Sequence, residues 1–197
     1  MPDRENIRAA FQRRLLPDRC RRFMLDHRDA FRAAPGSAHN HQAWPGGYLD
    51  HVDELFGVAA ALYRALSRLR PLPFTLPDAL LVLWLHDVEK VWKRLPDRCP
   101  RDPRYEQLAS RDPDALRARI IRDLGLQLTD QQRNALQYVH GELGDYRKDR
   151  RAAGPLAAFC HLCDYWSARG WHDEPDRSGP LPNLIDPAAP APPGRVC

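Results

Sequence analysis

One stretch constrains the fold of this chain more than any other: Ala79-Leu80-Leu81-Val82-Leu83-Trp84-Leu85, its longest apolar run, which ends on the adjacent pair His86-Asp87. A helical run with no polar face has nothing to offer water, so it belongs at the centre of a core. It is far too short to cross a bilayer. The imidazole and carboxylate at its end therefore sit at the edge of that core, where each needs a partner to offset the loss of water.

Around this run, apolar residues recur at helical spacing, and the alternating runs of half-buried strands are missing, which predicts an all-α fold. Helices are expected over 5–15, 18–32, 49–69, 77–93, 113–124, 130–139 and 155–169. Pro77-Asp78 and Thr129-Asp130 supply capping oxygens and first-turn negative charge, and Pro113 and Pro155 suit a first helical position. Residues 95–112 carry Pro96, Pro100 and Pro103 among charges and are expected to form a loop, either the wall of a site or a plain surface excursion. From Glu174 onward the chain is rich in Pro, Ala and Gly, and 187–193 contains only Pro and Ala, so an extended or disordered, Pro-rich tail is expected there. The 197 residues thus divide into one domain over 1–173 and a tail over 174–197.

Charge narrows the partners. The net charge of +4 is spread over scattered arginines such as Arg13, Arg14, Arg21 and Arg22, with no basic stripe beside stacking aromatics, so a dedicated nucleic-acid binder is not indicated. Five cysteines, odd in number and widely spaced, together with the charged start Met1-Pro2-Asp3-Arg4-Glu5, fit a reducing cytoplasm with no secretory leader and no membrane span. Cys160 and Cys163 form a C-x-x-C, but no second pair exists to complete a zinc site, and both are expected to be helix packing. No Walker loop, G-x-S-x-G or dinucleotide fingerprint is present.

The residues suited to chemistry are ligand-type. Besides His86 and Asp87 there are His51 on the preceding long helix, His140 where a helix gives way to Gly141, and His161 and Asp164, three apart on one face of the last helix. Adjacent helical residues point about 100° apart, so His86 and Asp87 need ligands from other helices to surround one cation. Six such residues in the order H, HD, H, H, D, each on or beside an apolar helix, are hard to obtain from packing alone.

Asn40-His41-Gln42-Ala43-Trp44-Pro45-Gly46-Gly47-Tyr48-Leu49-Asp50-His51, followed by Leu85-His86-Asp87-Val88-Glu89-Lys90, resembles the HD-domain phosphohydrolases, most closely the HD module of YhaM-like 3′-to-5′ exoribonucleases. Val139-His140-Gly141-Glu142-Leu143 and the stretch from Pro155 through His161-Leu162-Cys163-Asp164 to Arg169 extend the resemblance over 40–169, within a best-matched region of 35–170. It implies an HD-domain helical bundle and a binuclear site for two divalent ions, manganese, iron, cobalt, nickel or zinc. His51, His86, Asp87 and Asp164 would surround one ion, and Asp87 would bridge to a second held by His140 and His161. The chemistry implied is attack of metal-activated water on phosphorus. Asp87 and Lys90 are the catalytic candidates. Lys90 would also contact a substrate phosphate, with Trp44, His41, Arg147 and Lys148 as further substrate contacts. Trp44 can stack on a base or cap the core, His41 can touch substrate or back a ligand, and Arg147 and Lys148 can bind an anion or belong to a solvated loop.

Two departures from the family pattern stand out. Glu89 occupies a position usually held by Gly and is expected to point to solvent, the alternative being a carboxylate behind the ligands. Ser167 stands where the exoribonucleases carry a further aspartate, and no oligonucleotide-binding domain precedes the HD module, so processive RNA degradation is not expected. The expected function is hydrolysis of a phosphate ester or anhydride of a small nucleotide, of the nucleotidase or deoxynucleotide triphosphohydrolase type, as in small HD proteins of bacteria and phages. The alternatives are a phosphodiesterase or exonuclease on short oligonucleotides or cyclic nucleotides, and an inactive HD scaffold. A homo-oligomer is expected by analogy with HD enzymes.

Overall fold

The computed structural model describes residues 16–39, 41–96 and 102–170, and among these the regular structure is entirely helical. The elements are α1 (Asp18–Asp26), α2 (Arg28–Ala33), α3 (Gly47–Leu69), α4 (Leu76–Leu85), α5 (Lys90–Lys93), α6 (Pro103–Ala109), α7 (Pro113–Asp123), α8 (Asp130–Tyr138), a 3-10 turn (Leu143–Asp145) and α9 (Pro155–Gly170). The expected helix over 5–15, the tail over 174–197, Asn40 and 97–101 lie outside the described residues.

The central element is α4, in which every residue from Ala79 to Leu85 is buried. Thr75 caps it, accepting from Asp78 N while the Asp78 carboxylate accepts from Thr75 N, a closed capping box that fixes where the helix begins. Helices α3, α8 and α9 pack around α4, and α9 also lies along α3 and α8. Tyr48 on α3 donates its hydroxyl to the Trp84 carbonyl at 3.1 Å, and the Trp84 indole donates to Met24 Sδ at 3.3 Å. The two largest fully buried side chains of the core thus keep their polar atoms partnered. Truncating a fully buried residue here, such as Leu83→Ala, would cost about 2–5 kcal/mol.

Four sequence expectations change in three dimensions. The helix expected over 18–32 breaks at His27, whose backbone leaves the helical region at φ −112° and ψ 27°. The break lets His27 join Phe23, Trp92 and Tyr105 in one aromatic cluster, with ring centroids 4.6, 5.3 and 5.7 Å from its own. The long helix expected from 49 starts at Gly47, because Gly46 turns the chain at φ +79°. The stretch 95–112 is not simply a loop: Asp102 caps α6, and Tyr105 buries its ring 4.8 Å from that of Trp92. The fourth change, the break in the helix expected over 77–93, creates the site. Helices α7, α8 and α9 lie within a residue of their expected bounds. No helix among the described residues is long and apolar enough to cross a membrane.

Candidate metal centre

Helix α4 ends at Leu85, and 86–89 form a tight turn in which Val88 N bonds Leu85 O and Lys90 N bonds Asp87 O, each to the carbonyl three residues back. This tightening brings the His86 and Asp87 side chains together. The His86 carbonyl accepts instead from Arg117 Nη1 on α7, at 2.7 Å. Arg117 also lies 3.7 Å from Glu89 Oε2. Glu89 is buried beneath the turn rather than pointing to solvent as expected, where burial and the neighbouring Asp87 push its carboxyl up to about 7 and the Arg117 guanidinium offsets this only in part.

Four ligand atoms from two helices, α3 and α9, and the turn converge. His86 Nε2 lies 3.2 Å from Asp87 Oδ2 and 3.3 Å from Asp164 Oδ1, and His51 Nε2 lies 3.3 Å from the same Asp164 oxygen and 3.8 Å from the same Asp87 oxygen. These contacts close a ring of alternating nitrogen and oxygen, with all four atoms within 4.8 Å of one another. A cation with ligands at about 2.0–2.4 Å requires neighbouring donors roughly 3–3.5 Å apart, close to the spacing seen.

The histidine tautomers agree with this. His86 Nδ1 lies 2.7 Å from the Leu83 carbonyl, which can only accept, so Nδ1 carries a proton and Nε2 faces the ring. Both Nε2 atoms are buried without an aligned hydrogen-bond partner. Orphaned buried nitrogens aimed at two carboxylate oxygens are what a metal ligand set looks like when seen from the protein side, and the residues present fit a divalent cation.

The electrostatics favour positive charge at the centre. At His51 burial prevails and lowers the imidazole pKa. At His86 burial also acts to lower it, but the Asp87 and Asp164 carboxylates override that and raise it to about 10. Burial pushes both carboxyls up, yet attraction to the histidines outweighs it and holds Asp87 and Asp164 well below the usual carboxylate range. Lys90 reaches back one turn to bond Asp87 Oδ2.

The remaining sequence candidates occupy different positions. His140 lies at the mouth, 54% exposed, with Nε2 3.7 Å from Asp164 Oδ2 and its ring 5.8 Å from that of His86. His161 lies outside the four-atom group, and its Nδ1 donates to the Val139 carbonyl at 2.7 Å. Gly141, at φ +97°, carries the chain past the His161 ring in a conformation that disfavours any side chain. His41 sets its ring 5.2 Å from that of His51, tilted by 49°, and bonds Gln42 through Nδ1. Trp44 donates its indole N–H to Asp50 Oδ2 at 2.8 Å, tying its loop to α3. Arg147 folds back onto the Gly144 and Tyr146 carbonyls, and Lys148 is exposed on the same loop. Cys160 and Cys163 are buried and unpaired, as expected of helix packing, and burial pushes the Cys163 thiol up to about 12.

Sequence reasoning passed over Arg117, Glu54 and Gln42, and met Ser167 only as a departure from a motif. Spacing offered a clue to two of them: Glu54 follows His51 by three residues and Ser167 follows Asp164 by three, each on the ligand-bearing face of its helix. No protein-family model, curated protein or solved structure matches the chain.

Proposed function

We propose that this chain is a metal-dependent phosphohydrolase of the HD type, acting on a phosphate ester or anhydride of a small nucleotide. The observation that carries the proposal is the closed ring of His51 Nε2, Asp164 Oδ1, His86 Nε2 and Asp87 Oδ2, buried at one end and open at the other. In this reading α3, α4, α8 and α9 are the HD bundle within a domain over 1–173, followed by a Pro-rich tail. His51, His86, Asp87 and Asp164 hold a divalent cation, and His140 and His161 are the candidates for a second. A cation held there supplies Lewis acidity, drawing charge from a phosphoryl oxygen and making water acidic enough to attack at neutral pH.

The chain's own residues supply position and charge. The side chains of His51, His86 and Asp87 are at most 3% exposed, whereas Asp164, Lys90 and His140 are 14, 20 and 54% exposed, so a substrate approaches from the side of the last three. Lys90, paired with Asp87 and 20% exposed, can turn from Asp87 to a phosphate as a flexible point charge. Partial burial and the neighbouring His86 lower the His140 pKa, which favours an imidazole able to accept a proton or a hydrogen bond at the mouth.

The test is a panel of nucleoside mono-, di- and triphosphates, cyclic nucleotides and short oligomers, assayed with Mn²⁺. Release of phosphate, pyrophosphate or triphosphate from mononucleotides supports the proposal. Release of nucleotides from oligomers or opening of cyclic nucleotides replaces it with the diesterase reading, and no turnover of any member by metal-loaded protein replaces it with a scaffold. The cytoplasmic location and the homo-oligomeric state expected from the sequence belong to the same proposal, and sedimentation of the purified chain tests the second.

A further inference from the structure

His51 presents a lone pair to the ring only if its other nitrogen carries the proton, and the residues behind it decide that. Ser167, fully buried on α9, places Oγ 3.0 Å from His51 Nδ1 and 2.9 Å from Glu54 Oε2. A hydroxyl has one proton to donate. Glu54 Oε2, which also accepts from Gln42 Nε2, is the acceptor for it. The serine oxygen is then left to accept from His51, which fixes the proton on Nδ1 and leaves Nε2 bare.

This arrangement is held from behind. Gln42 is buried and sits at φ +44°, a left-handed conformation that a residue with a side chain adopts only where its surroundings impose it. The surroundings are the Gly36 N–H, which donates to the Gln42 carbonyl at 2.8 Å, and Gly47, where a Cβ would come within 1.9 Å of that same oxygen. The loop is thereby locked with the Gln42 amide on Glu54. Glu54 and Ser167 each follow a proposed ligand by one helical turn, so the helices that deliver His51 and Asp164 also deliver their support.

We propose that Glu54 and Ser167 are positioning residues of the metal centre, forming a Glu54–Ser167–His51 hydrogen-bond relay that sets the His51 tautomer and so the affinity of the ring for a divalent cation. The inference rests on the reading above that the ring holds a cation. His86 and His161 are oriented by backbone carbonyls, which no substitution removes. His51 is oriented by a side chain, so its contribution can be changed without touching a ligand.

The experiment is titration of the full chain with Mn²⁺ by calorimetry, comparing wild type, Ser167→Ala, Glu54→Met and Glu54→Gln. Ser167→Ala is expected to weaken Mn²⁺ binding about 10–100-fold and Glu54→Met about 10-fold. Glu54→Gln retains an acceptor oxygen and is expected to stay within about threefold of wild type. A merely structural role would move the metal-free melting temperature without separating Met from Gln in affinity. Wild-type binding with Ser167→Ala and Glu54→Met both within about twofold of it overturns the relay and leaves the metal centre standing. Absence of Mn²⁺ binding by wild type overturns the metal centre and the relay together. If Ser167→Ala does not fold, the Glu54→Met and Glu54→Gln pair decides by the same criteria.

Discussion

The deep half of the site and its rim are built on different principles. In the deep half, His51, His86 and Asp87 are almost fully buried, and each histidine is held through Nδ1 by an acceptor on its own or a neighbouring helix. At the rim, His140 and Lys90 are partly exposed, and among the described residues the Lys90 side chain is held by Asp87 itself. Burial with fixed side chains gives a preorganised set of ligand-type atoms that could hold a cation. Exposure leaves the rim freer to rearrange. On the proposed function, metal retention belongs to the deep half and turnover on an anionic substrate to the rim.

Asp87→Ala is the strongest attack on that division, because Asp87 Oδ2 is the oxygen that meets both histidines and Lys90. Phosphate release should fall by at least about 10³-fold and bound metal should vanish from elemental analysis. Wild type at 100 times its dissociation constant should gain about 2.7 kcal/mol from Mn²⁺, seen as a higher melting temperature, and Asp87→Ala should gain nothing. Full turnover by Asp87→Ala would end the metal-centre reading.

His140→Ala should lower turnover roughly 10²-fold while one metal equivalent per chain remains, which metal analysis beside steady-state kinetics would show. Loss of all metal from this variant would mean that the rim and the deep half are one unit. Lys90→Ala should reduce kcat/KM about tenfold, the equivalent of about 1.4 kcal/mol, with metal content unchanged. Arg147→Ala should change kcat/KM less than about twofold, because its guanidinium is already engaged by the carbonyls of its own loop. A larger effect would place that loop on the substrate and enlarge the rim.

Much of the fold was legible, for reasons tied to particular residues. The apolar run into His86-Asp87 has no exposed face, so it could only be central, and Thr129 and Pro155 mark helix starts that the structure keeps within a residue. The break after Leu85 was not legible. It depends on Arg117, thirty-one positions away from His86, taking a carbonyl that the helix has released. The same holds for Glu89, which the turn buries beside the same arginine. The kink at His27 was hidden likewise, since its partners Trp92 and Tyr105 are remote in sequence.

Read along the chain, the residues yield an inventory: helices throughout the described part, a central apolar one, and ligand-type residues spaced so that several share a helical face. Periodicity and capping are local properties, and local properties can be read along a chain. Which of those residues meet emerges in three dimensions alone, where His51, His86, Asp87 and Asp164 form one ring, His140 lies at its mouth and Glu54 and Ser167 stand behind it. Which lone pair faces the centre depends on hydrogen bonds between elements more than a hundred residues apart, and no one-dimensional pattern encodes the direction of a hydrogen bond.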